Sequence, residues 1–240
     1  MPAEVIIGIL NYGLILIFGL CLSVEIAGGC ESRRQRRTVA LLCVLLLLIQ
    51  IPPWLLFGVD TVKRLYPLIV HLPLVLILTL ALKKPLGVAV VSTCTAYLCC
   101  QPLRWGKNAV EALTGSMLAA DIAYIVLLVG VFWLCERFLV KAAYATMTYS
   151  RWTLLLFGSL PVTYYIFDYA TTVYSNALYS NVLIISEFLP TVLVVFYVLF
   201  LPAFHVQSQK RSSAEMQRSL LEVELKQSQQ EMDSLRQSEM

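Results

Sequence analysis

Charge is what this 240-residue chain has least of: only 14% of its residues are Asp, Glu, Lys or Arg, against 59% hydrophobic. Soluble domains carry roughly 25% charged residues, so that scarcity excludes an ordinary soluble fold. Other absences narrow the function. No H-E-x-x-H, no G-x-S-x-G, no phosphate-binding loop and no dinucleotide fingerprint occurs, which removes the common metalloprotease, serine-hydrolase and nucleotide-binding chemistries. The seven cysteines, Cys21, Cys30, Cys43, Cys94, Cys99, Cys100 and Cys135, contain no C-x-x-C and have no His or acidic residue at metal-ligand spacing. They are expected to pack as small polarisable side chains. The N-terminus has no basic region and carries only Glu4, so the first apolar run is expected to remain as an anchor and not to be a cleaved signal. Lys and Arg form no patch on a soluble face, which excludes nucleic acid as a partner.

What the chain has instead is long, unbroken apolar runs. Backbone groups inside a bilayer must be satisfied within helices or a closed barrel, and runs without alternation select helices. The expected fold is all-α: a polytopic membrane helix bundle of about seven transmembrane helices, embedded in lipid, followed by a C-terminal cytoplasmic helix or coiled coil. The segments are about Val5–Ala27, Thr38–Phe57, Leu65–Leu82, Leu86–Leu103, Ser116–Cys135, Trp152–Ala170 and Val182–Ala203. Pro67 and Pro73 should kink the third, and Lys83-Lys84-Pro85 should close a tight hairpin between the third and fourth. With the N-terminus outside, inner loops would hold nine basic residues (Arg33, Arg34, Arg36, Arg37, Lys83, Lys84, Arg137, Lys141, Arg151) and outer loops four (Lys63, Arg64, Arg104, Lys107). That asymmetry predicts a multi-pass bacterial cell-membrane protein with its N-terminus outside and its C-terminus in the cytoplasm.

The chain therefore divides into a membrane domain, residues 1–204, and a polar helix, residues 205–240. Through Ala203 there are 13 basic and 9 acidic residues; after it there are 5 and 6. Two partly apolar seams run along the polar helix. One is Met216, Leu220 and Val223; the other is Leu221, Leu225, Ser228, Met232 and Leu235. Neither is a strong heptad seam, and a weak seam with two registers suits a homodimeric linker that must shift. His205 begins this relay at the membrane edge.

Ionisable residues within apolar segments are the candidate functional residues, because each is unfavourable in hydrocarbon. Glu25 is expected to pair with the arginine cluster, and His71, between Pro67 and Pro73, to pack. Asp121, Asp168 and Glu187 should converge on the outer half of the bundle, among Tyr164, Tyr165, Tyr169, Tyr174 and Tyr179. An aromatic interfacial belt would explain the tyrosines alone. A pocket with aromatic walls and acidic acceptors, taking an extracellular small ligand or peptide, would explain the carboxylates as well.

The stretches "LPVTYYIFDYATTVYSNALYSN" (Leu160–Asn181) and "EFLPTVLVVFYVLFL" (Glu187–Leu201), with the Gln- and Glu-rich helix that follows, resemble the sensor half of Gram-positive GHKL-type histidine kinases. These are similar in layout to the peptide-pheromone receptor kinases of quorum sensing. The resemblance implies a membrane sensor feeding a dimerisation helix, then a phosphoacceptor helix with an R-H-D motif and an ATP-binding domain that acts on a response regulator. No phosphoacceptor or ATP-binding motif is present, so ATP and Mg are expected only for such a further domain and no cofactor for these residues. The helix reaches Met240 without a cap, and a truncated kinase is the expectation drawn from that. Two other classes remain open: a small-solute transporter or channel, and a non-catalytic scaffold with a partner-binding coiled coil.

Overall fold

The computed structural model describes residues 3–174 and 183–238, and among them every regular element is helical. The helices are α1 (Ala3–Ile26), α2 (Arg33–Ile49), α3 (Ile51–Tyr66), α4 (Leu72–Leu80), α5 (Leu86–Cys99), α6 (Gln101–Thr114), α7 (Met117–Leu134), α8 (Lys141–Tyr149), α9 (Arg151–Asp168) and α10 (Leu183–Ser238). Among the described residues, five stretches are long and apolar enough to cross a membrane: Arg33–Pro53, Thr61–Leu80, Leu86–Thr114, Met117–Tyr149 and Thr191–Gln229. Leu10–Ile26 is a shorter apolar helix. Of the seven expected segments, the first is represented only by that shorter helix and the sixth is not among the five. Its helix α9 carries Arg151, Thr153, Ser159, Thr163 and Asp168, which dilute its apolar character.

Several expected loops are helical. The outer loops placed around Lys63–Arg64 and Arg104–Lys107 lie within α3 and α6, and the inner loop from Glu136 to Lys141 continues the helix from α7 into α8. The chain achieves this with small changes of pitch. Gln50 and Cys100 join α2 to α3 and α5 to α6 in right-handed helical conformation, with proline in the first turn that follows each. Proline there lacks only an N–H that would have no helical partner anyway. The expected kink at Pro67 is a π-helical turn, Pro67–His71, closed by Leu72 N–H donating to the Pro67 carbonyl. Two more π turns follow, Cys135–Val140 and Tyr169–Val173. Such local widening re-satisfies backbone groups that a proline or a polar side chain disturbs within a membrane helix.

Packing follows small residues. α5 is the central helix, with Ser92, Thr93 and Thr95 buried. Their hydroxyls donate to the carbonyls of Val88 (2.6 Å), Ala89 (2.9 Å) and Val91 (2.7 Å), so they bring no unpaired polar group into the core. α9 runs alongside in the same direction. A Cβ on Gly158 would stand 2.4 Å from Val91 Cγ2, and one on Gly87 2.9 Å from Leu154. Leu41, Leu45, Leu56, Leu80, Val126, Leu155 and Leu156 are exposed on the outside, the reverse of a soluble fold and the surface that lipid would cover.

α1 and α7 with α8 also run side by side. Asn11 meets Asp121, Phe18 meets Phe132 edge-on at 5.8 Å, and Gly28 meets Tyr144. The bundle therefore has an Asp121 end and a Gly28 end. At the Gly28 end, Ser32 and Ser150 form capping boxes at the starts of α2 and α9. The expected hairpin is present there too: Lys83 adopts φ 56° and Lys84 N–H donates to the Leu78 carbonyl. Glu25 has no ion pair with the arginine cluster among the described residues. Its carboxylate lies over the Gly29 turn, 3.1 Å from where a Cβ would stand.

α10 is a single uninterrupted helix of 56 residues, about 84 Å long at 1.5 Å per residue. Val194 and Leu201 are buried against the bundle, His205 is half-buried, and Met216, Leu220, Leu221, Val223 and Leu225 are exposed. The apolar segment and the polar segment are thus one continuous helix, with the apolar seam positions Met216, Leu220, Leu221, Val223 and Leu225 of its polar half uncovered in a single chain. The side chains of Met232 and Leu235 lie outside those described.

Candidate functional site

A cavity of about 990 Å³ extends from the Asp121 end into the bundle between α1, α3, α4, α5, α6, α7 and α9. Along α1 its wall runs from Tyr12 to Ser23, roughly 17 Å of helix. Ligand pockets fall at about 300–1,000 Å³, so the space suffices for a drug-sized molecule.

The acids expected to converge here have separate roles. Asp168, at the end of α9, lines the cavity and accepts a hydrogen bond from the Tyr97 hydroxyl. Asp121, one turn into α7, does not line it. Its Oδ1 accepts from Lys107 Nζ at 2.6 Å and from Asn11 Nδ2 at 2.9 Å, and the carboxyl is 3% exposed. Asp121 is therefore a structural anchor that ties α6, α7 and α1 together, and its partner Lys107 is the group on the cavity wall. The side chain of Glu187 lies outside those described, as does Tyr179 altogether.

The tyrosines form a cluster and not a belt facing lipid. His71, at the end of the first π turn, sits among Tyr66 (5.1 Å between ring centroids), Tyr165 (5.3 Å), Tyr97 (5.6 Å) and Tyr169 (6.2 Å), each close to edge-on. Its Nδ1 is 2.8 Å from the Tyr165 hydroxyl. Tyr165 and Tyr169 tilt against each other at 4.8 Å, and Tyr164 lies beside Tyr97 at 6.5 Å. Tyr66, His71, Tyr97 and Tyr169 reach the cavity, while Tyr164 and Tyr165 stand behind them. The Tyr174 hydroxyl donates to the Arg64 carbonyl at 2.7 Å and holds the end of the third π turn to α3.

Sequence reasoning missed Tyr97, Tyr66, Asn11 and the basic wall. Lys63, Arg64, Arg104 and Lys107 all line the cavity, whereas a loop assignment had placed them outside the helices. Asn11 is the one amide in the first apolar run, and that is a signal that could have found it; Tyr97, beside Thr95 and Ser92, carries no such mark. Among the described residues no group of three or more His, Cys, Asp or Glu could hold a metal ion.

A chamber with aromatic walls, a basic mouth and a carboxylate held by a tyrosine can bind an organic molecule by stacking, ion pairing and hydrogen bonding. No family model, curated protein or solved structure matches the chain.

Proposed function

We propose that the chain is a membrane input module that senses an extracellular ligand and passes a helix movement to a cytoplasmic output region, in the manner of the GHKL-type sensor histidine kinases it resembles. In this reading the protein sits in a bacterial cell membrane as a homodimer, with the Asp121 end outside and residues after His205 inside. The observation that carries it is the continuity of α10: one helix, Leu183–Ser238, is packed in the bundle at one end and extends free at the other. A rotation or slide of its membrane half would be passed along the same helix toward Leu221 and Leu225, because no turn intervenes.

The Tyr97–Asp168 contact and the His71 cluster join α4, α5 and α9 around the cavity, so an occupant there bears on the packing of the bundle. A signal requires the ligand to bind one packing better than another, and the two seams supply two candidate packings of the same helix. Phosphotransfer and a response regulator would belong to further domains.

The test is disulfide crosslinking between chains in native membranes, with single cysteines at Leu221 or Leu225 and, separately, at Leu220 or Val223. The expected outcome is crosslinking in one set, with the balance between sets moved by substitutions at the cavity such as Tyr97→Phe. Failure of both sets to crosslink removes the dimeric relay. Solute flux in liposomes containing the purified chain would instead support a transporter.

A further inference from the structure

The cavity carries more information than its size, because its charge runs against the acidic pocket that the sequence suggests. Four cationic side chains line it, Lys63, Arg64, Arg104 and Lys107, with one carboxylate, Asp168. That carboxylate already accepts from Tyr97. Asp121, also at this end but off the cavity wall, is committed to Lys107. Arg64 and Arg104 come from different helices, α3 and α6, and neither has a carboxylate within ion-pair distance among the described residues. Guanidinium groups at the mouth of a low-dielectric chamber favour a carboxylate or phosphate, which they can hold through two parallel hydrogen bonds.

The tyrosine cluster does not reverse this preference. Aromatic rings can enclose an organic cation, but here the cage is already filled by the His71 ring, which touches four of them. The rings that remain on the wall, with Leu16, Leu20, Leu74 and Ala96 deeper in, form a lining suited to an apolar or aromatic body.

We infer that the cavity binds a small amphiphilic anion, its carboxylate or phosphate head at Arg64 and Arg104 and its apolar body among Tyr66, Tyr97 and Leu74. This rests on the sensor reading only in making that anion the signal; the binding itself does not depend on it. The head could be that of a water-soluble organic acid or of an anionic lipid, since both present the same chemistry.

The experiment uses the whole chain in nanodiscs of zwitterionic lipid. Phenylbutyrate, phenyl phosphate and phenylbutylamine, probes of similar body and opposite charge, are titrated by isothermal calorimetry. The acids should bind and the amine should not. Arg104→Gln and Arg64→Gln should each weaken the acids roughly tenfold, the scale of one lost charge-assisted hydrogen bond, and Arg104→Lys should recover part of that. Size-exclusion profiles identify any variant that fails to fold, in which case Arg104→Lys carries the comparison. In discs containing phosphatidylglycerol, Arg104-dependent weakening of the acids supports a lipid occupant, and unchanged affinity supports a soluble acid. The proposal is overturned if the amine binds as well as the acids, if neither arginine substitution alters acid affinity, or if no anion binds in either disc. Cysteine crosslinking at Leu221 and Leu225 is followed in parallel. Acid binding without any change in crosslinking would retain the anion site and reject the sensor reading, while a response to the amine alone would do the opposite.

Discussion

Among the described residues each end of the bundle shows a lysine–carboxylate pair, and the two are inverted. At the Asp121 end the acid is buried, 3% exposed, and Lys107 is 29% exposed at 2.6 Å. At the Gly28 end the lysine is buried: Lys84 is 7% exposed, while Glu31, 3.1 Å away, is 74% exposed. Lys84 also stands 5.8 Å over the Tyr144 ring, and Gly28 turns tightly against that same ring. One end is therefore latched by close packing that needs little from its carboxylate. The other is propped by a buried carboxylate around which three helices gather and beside which a cavity opens. A site that admits a ligand belongs at the propped end, because a tightly packed end has no room to change.

The largest effect should come from breaking the prop. Lys107→Met leaves the buried Asp121 carboxylate with Asn11 as its remaining hydrogen-bond partner among the described residues, and stripping one partner from a buried pair typically costs about 3 kcal/mol or more. The expected outcome is a loss of about 3 kcal/mol, read as a fall in melting temperature of the purified chain. Lys107→Met combined with Asp121→Asn should recover much of it, since no bare charge then remains in the interior. If the single substitution is neutral, the carboxylate is hydrated and the prop is not structural.

Next comes the latch. Gly28 has φ 98°, and a Cβ there would stand 2.4 Å from Tyr144 Cε2. Gly28→Val adds left-handed backbone strain and overpacking together, for a loss of about 2 kcal/mol. Tyr144→Ala in the same chain should recover the steric part and leave the backbone part, measured by the same melting assay. Equal losses with and without Tyr144 would mean that the ring simply moves aside.

The sequence was most informative where one force dominates. Scarce charge and long apolar runs made the helical class legible, and the switch to Gln, Glu and Ser after Gln207 marked where α10 changes character. It was least informative where polar residues and prolines carry the appearance of loops. Lys63, Arg64, Arg104 and Lys107 looked like boundary residues, yet they extend α3 and α6 and face a cavity. Polar groups inside a bundle can persist in helical form when tertiary partners compensate them, as Asp121 does for Lys107. Pairings such as Asn11 with Asp121, 110 positions apart, or His71 with Tyr165, 94 apart, leave no local trace. They arise only once α1, α4, α7 and α9 are assembled. Asp121 and Asp168 were equivalent in the sequence, and only their neighbours separate the anchor from the cavity wall.

The smallest effect tests whether the inversion of the two pairs is real. Glu31→Gln removes the carboxylate of the second pair, but that carboxylate is largely in solvent, where an ion pair contributes about 0.5 kcal/mol or less. Lys84 keeps the Tyr144 ring, and its backbone N–H keeps the Leu78 carbonyl. The melting temperature should hardly move, and what shift there is should vanish at high salt, because exposed charges are screened within about 10 Å at 0.1 M. Lys107→Met, by contrast, should show little salt dependence, since its partner is sheltered from ions. If Glu31→Gln instead destabilises as strongly as Lys107→Met, then Lys84 depends on Glu31 as Asp121 depends on Lys107. Both ends would then be propped by charge, and the assignment of ligand entry to the Asp121 end would have to stand on the cavity alone.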